Sequence, residues 1–131
     1  MYVRNGLGYN QCMATPLNTL LKSEEAFLFL LGILLFHLGG FAWWLFPLLL
    51  LVPDMSMLGY LAGDRNGAAL YNTFHNRSAA VLLYITGKLS GLQLPELMGI
   101  ILFSHIAMDR FFGFGLKRIS GFKDTHLGKL K

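Results

Sequence analysis

Four apolar runs of about twenty residues, the length a helix needs to cross the hydrocarbon core of a bilayer, leave this chain few folds to choose from. They cover residues 19–38, 41–62, 67–86 and 92–112. Turn signals part them at Gly39-Gly40, at Gly63-Asp64-Arg65-Asn66 and across residues 87–91. With 54% of its 131 residues hydrophobic and 14% charged, the chain lies far outside the composition of a soluble domain. The expectation is an all-α integral membrane protein, a four-helix bundle made of two transmembrane hairpins. A competing parse, one long tilted helix over residues 26–52, ranks second because Gly39-Gly40 makes a better turn than helix interior. Residues 1–18 are polar and glycine-containing and are expected to be a disordered tail. Residues 19–113 form the expected transmembrane domain, and residues 114–131 a basic tail.

Charge orients the bundle. The formal net charge is +4, and Lys117, Arg118, Lys123, Lys129 and Lys131 all fall in the C-terminal tail, whereas the turns carry only Arg65 and Lys88. Basic residues collect on the cytoplasmic side of membrane proteins, so both termini are expected there after four crossings. The basicity points to topology and anionic lipid, and no nucleic-acid partner is expected. Trp43 and Trp44 follow the first turn, where aromatic side chains anchor a span at the interface. Pro47 and Pro53 predict a bend in the second run. The lone Cys12 excludes an intramolecular disulfide.

Asp54 follows eleven uncharged residues and is expensive to hold in a membrane, so it should face the bundle interior and find partners. Counting about 1.5 Å per helical residue from the cytoplasmic ends puts Asp54, His75 and His105 about 10–12 Å deep. Asp109 stacks one turn shallower than His105 on the same face. These four are the expected metal ligands, a mixed nitrogen and oxygen set suited to zinc, manganese or iron. Glu25 and Asn72 are expected to orient them, with Ser104 as a further candidate. Residues 121–128, GFKDTHLG, can fold back over the same end and offer Asp124 and His126 as ligand or general base. His37 lies at the opposite end. Arg77, two positions from His75 and so about 200° round a continuous helix, is expected to snorkel to the headgroups.

The stretches PDMSMLGYLAG, GAALYNTFH, SHIAMDRFFGFGLKR and GFKDTHLG together resemble a family of small bacterial integral membrane proteins known as domain of unknown function 4260. The likeness runs over about residues 20–129. It implies a multi-pass protein of the bacterial inner membrane, with characteristic polar residues at Glu25, Asp54, Tyr71, Asn72, His75, His105, Asp109, Arg110, Asp124 and His126. Arg77 and the first twelve residues depart from the family pattern. The Pro-Asp, mid-chain His and Thr-His elements are also similar, more distantly, to bacterial inner-membrane metal-dependent hydrolases. The leading expectation is therefore a membrane-embedded metal-dependent hydrolase that acts near the cytoplasmic leaflet on a lipid or other amphipathic substrate. The alternative is a small proton-coupled or cation transporter using Glu25, Asp54 and Asp109. A haem bound between His75 and His105 is disfavoured by the neighbouring aspartates.

Overall fold

The computed structural model describes residues 6–129, with side-chain surroundings from residue 16 to residue 127. The chain is mostly helical. Helix α1 (Gly6–Leu38) begins upstream of the expected start at residue 19 and ends at the Gly39-Gly40 turn, where Gly40 has a left-handed backbone (φ 71°). Of the expected N-terminal tail, residues 1–5 lie outside the described residues. The second run becomes a short helix α2 (Leu45–Leu50) and then a 3-10 helix over Val52–Ala62, with Pro53 in its first turn, where a missing N–H costs nothing. The stretch Leu45–Ala62 is the one candidate among the described residues that is long and apolar enough to cross a membrane.

Side chains three apart eclipse in a 3-10 helix, and burial along this segment follows that period. Pro53 and Ser56 are buried, Asp54, Met57 and Tyr60 are half-buried, and Met55, Leu58 and Leu61 are exposed.

The third run corrects the expectation of a continuous span over residues 67–86. It divides into α3 (Asp64–Phe74) and α4 (Arg77–Ser90), with His75 leaving the helical region at φ −102° and ψ 22°. Asn76 causes the break. Its side-chain oxygen accepts from the backbone N–H groups of Ser78 and Ala79, at 2.9 and 3.4 Å, and caps a new helix where the old one stops. Arg77 therefore no longer shares a helix with His75. It pairs with Glu25 on α1 instead of reaching for headgroups.

Helix α5 (Gln93–Phe112) is the central element, packed against α1 and α4. Close approach is made by glycine. A Cβ on Gly99 would stand 2.4 Å from the backbone nitrogen of Tyr84, and one on Gly87 would stand 2.2 Å from that of Glu96. Gly91 turns the hairpin at φ 69°. On the other side Gly32 admits Ser104, whose hydroxyl donates to the Ile100 carbonyl at 2.8 Å and so is committed to its own helix. Phe36, Phe46, Ile100 and Ile101 close the core between α1, α2 and α5.

The tail is ordered as a small antiparallel sheet, β1 (Lys117–Arg118), β2 (Gly121–Thr125) and β3 (Gly128–Lys129), an addition to the expected all-α class. Asn72 fastens it to α3. The Lys117 N–H donates to the Asn72 side-chain oxygen at 2.7 Å, and the amide of Asn72 donates back to the Lys117 carbonyl at 2.8 Å. The Lys117 ammonium lies over the rings of Phe122 and Tyr71, and burial holds its pKa below the ordinary lysine range.

Candidate metal centre

Three segments distant in sequence supply four convergent side chains. Asp54 comes from the first turn of the 3-10 helix, His75 from the residue that ends α3, and His105 and Asp109 from one face of α5, four residues apart. One ligand atom from each lies within 4.8 Å of the others. The two histidines approach Nε2 to Nε2 at 3.0 Å. Asp109 Oδ2 is 3.4 Å from each of those nitrogens, and Asp54 Oδ1 is 3.4 Å from His105 and 3.8 Å from His75. His105 is fully buried and His75 nearly so, while the Asp54 side chain is 38% exposed, so it forms the open side of the cluster.

The outer nitrogens fix the chemistry of the inner ones. His75 Nδ1 lies 2.9 Å from the Tyr71 carbonyl and His105 Nδ1 2.7 Å from the Leu50 carbonyl. A carbonyl only accepts, so each Nδ1 carries the hydrogen and each neutral ring presents a bare lone pair at Nε2. Two lone pairs facing each other at 3.0 Å, flanked by two carboxylates, form a site that can hold a cation or share a proton. A tetrahedral ion with bonds of about 2.0–2.1 Å separates its ligand atoms by about 3.3–3.4 Å. Five of the six separations, from 3.0 to 3.8 Å, bracket that edge length, and the sixth, between the two carboxylates, is no more than 4.8 Å. Histidine nitrogens held by carbonyls are the usual outer support of a metal ligand. Tyr71 adds a third support by donating its hydroxyl to Asp109 Oδ2 at 3.1 Å while its ring stacks on His75, with centroids 3.7 Å apart.

Glu25, Asn72 and Ser104, expected to orient the ligands, have other partners in the structure. Glu25 pairs with Arg77, Asn72 holds the tail and Ser104 bonds to Ile100, whereas two backbone carbonyls and Tyr71 orient the ligands. Sequence reading misses the carbonyls because every residue has one. Asp124 and His126 are not among the converging donors. Asp124 accepts from the Ser120 hydroxyl, and His126 Nδ1 accepts from the Leu116 N–H at 2.7 Å. His37 is exposed and stacks on Trp43, away from the cluster.

A family model described as Domain of unknown function (DUF4260) matches residues 18–130. No curated protein and no solved structure matches the chain.

Proposed function

The chain belongs to the DUF4260 family, and within that family we propose that it is a multi-pass membrane protein holding one divalent transition ion between Asp54, His75, His105 and Asp109. The observation that carries the proposal is the pair of bare Nε2 atoms 3.0 Å apart, each fixed by a carbonyl behind it. A set of two imidazoles and two carboxylates, four ligands in all, favours zinc over manganese or iron, which prefer more ligands. The reaction we assign is hydrolysis. A bound ion supplies Lewis acidity and a water of lowered pKa. Asp54, the most exposed member of the four, would yield a ligand position and take up a proton, and the two histidines and Asp109 would hold the ion.

Large apolar side chains exposed on several elements, among them Phe27, Leu30, Leu58, Leu61, Leu82 and Leu89, support a bilayer setting. An apolar cleft of about 400 Å³ lies between the 3-10 helix, α3 and α5, lined by Val52, Pro53, Phe74, Met98 and Leu102. Ser56 also lines it, with a buried hydroxyl that has no partner among the described residues. Such a cleft, lined by the sequence neighbours of Asp54 and His75, suits an amphipathic substrate. One observation favours a second reading, proton-coupled transport: the chain of contacts from Tyr71 through Asp109 to both histidines can also carry a proton.

Protein purified without chelators is expected to contain about one zinc per chain by elemental analysis. Metal-free protein that gains no thermal stability from added zinc, manganese or iron would hand the cluster to the proton-relay reading. The topology we assign puts both termini in the cytoplasm after four crossings, from the basic residues of the tail. Reporter fusions at residue 131 and in the turn at residues 87–91 are expected on opposite sides of the membrane, and finding them on the same side would overturn it.

A further inference from the structure

Beside the metal centre stands a group of side chains with hydrogen-bond donors to spare. Arg110 borders a small cavity together with His75, Asp109, Tyr71 and Leu116, and it makes no hydrogen bond or ion pair among the described residues. Arg77 and Glu25 both lie within electrostatic reach of it. Arg77 gives one nitrogen to Glu25, while its buried Nε is left without a partner. From the tail, His126 accepts the Leu116 N–H at Nδ1, so its neutral ring carries the remaining hydrogen on Nε2. Burial, and then the charges of Arg110 and Arg118, hold this imidazole below its usual pKa range and keep it neutral at pH 7.

The charges do not balance. Two carboxylates, Asp54 and Asp109, match one dication. Glu25 is then the carboxylate left to face both Arg77 and Arg110. A half-buried guanidinium with no partner next to a dication is a strong site for a multiply charged oxyanion, because its planar fork gives two parallel hydrogen bonds to phosphate oxygens.

We propose that Arg110, backed by the neighbouring Arg77 and His126, binds a phosphate group, so that the substrate of the metal centre is a phosphate ester. Phosphate binding rests on the metal-bound reading of the centre, because the ion offsets the charges of Asp54 and Asp109, and the substrate assignment rests in addition on its hydrolytic reading. The phosphate can belong to a lipid headgroup or to a soluble ester.

The test titrates the full-length protein in detergent micelles, both zinc-loaded and metal-free, with inorganic phosphate and with a short-chain phosphatidic acid. Binding of one or both probes to the zinc-loaded protein is expected, weakened at least tenfold by Arg110→Gln at unchanged zinc content. Arg110→Lys, which keeps the charge and loses the fork, is expected to fall between the two and serves if Arg110→Gln does not fold. A phosphatidic acid at least tenfold tighter than phosphate identifies a lipid headgroup, and equal affinity identifies a soluble ester. Binding that ignores both substitutions, or no binding of either probe, overturns the proposal. Protein that takes up no zinc removes the metal reading, whereas zinc-loaded protein that binds neither probe overturns the phosphate proposal alone.

Discussion

His105→Ala is expected to lower bound zinc from about one ion per chain to a trace while the protein remains folded and helical. His105 is fully buried, and its Nε2 stands within 3.0–3.4 Å of the three other ligand atoms, so its loss opens one vertex of the set. Loss of an outer partner costs a metal site about 10–100-fold in affinity, and loss of a ligand should exceed the upper end of that range. Tyr71→Phe removes only the hydrogen bond to Asp109 and is expected to sit within it, near tenfold. The fold survives because apolar packing and internal backbone bonding, not one imidazole, keep the helices together. His37→Ala should leave zinc content unchanged. Equal losses from His37→Ala and His105→Ala, read by competition with a chromophoric chelator, would mean that the four residues do not form the site.

Gly99→Ala is expected to be strongly damaging for the addition of a single methyl. The added Cβ would fall 2.4 Å from the Tyr84 nitrogen and 2.6 Å from its Cα, and backbone atoms cannot swing aside as a side chain can. The hairpin must separate along its length, also straining the Lys88–Glu96 ion pair at 2.9 Å. Overpacking of this kind costs about 1–3 kcal/mol, and the rigid contact puts Gly99→Ala at the upper end. Gly91→Ala is the comparison. It meets nothing within 4 Å, and its cost is confined to the left-handed backbone, about 1–2 kcal/mol. Thermal unfolding in detergent should rank Gly99→Ala below Gly91→Ala, and the reverse order would refute the close contact of α4 with α5.

What the sequence made legible follows from which forces are local. The glycine turns at Gly40, Gly63 and Gly91 were readable because each adopts a backbone that glycine favours. Depth counting grouped Asp54, His75, His105 and Asp109, the four residues that the structure brings together. The α3–α4 break was harder to see. An asparagine inside an apolar run can be a buried polar residue or a cap, and only the helix start at Arg77 decides. His75-Asn76 as adjacent polar residues, with a serine two positions after the asparagine, was the available signal. The Arg77–Glu25 pair spans 52 residues and no local pattern encodes it. The β strands of the tail are two to five residues long, too short for alternation to register.

The 3-10 conformation of Val52–Ala62 also sets a length. Each residue of such a helix climbs about 2.0 Å, against about 1.5 Å in an α-helix, so its 11 residues cover about 22 Å. With α2 and Leu51 ahead of it, the 18-residue stretch Leu45–Ala62 reaches about 32 Å, close to the roughly 30 Å of a hydrocarbon core. The same residues wound as an α-helix would reach only about 27 Å. The tighter winding therefore does the work of three or four additional residues. It also divides the segment lengthwise into flat sides, and the stagger of one residue separates Asp54, turned to the histidines, from Met55, turned outward. An insertion of a single residue here would rotate everything beyond it by about 120°, exchanging those sides, while lengthening the stretch by only about 2 Å.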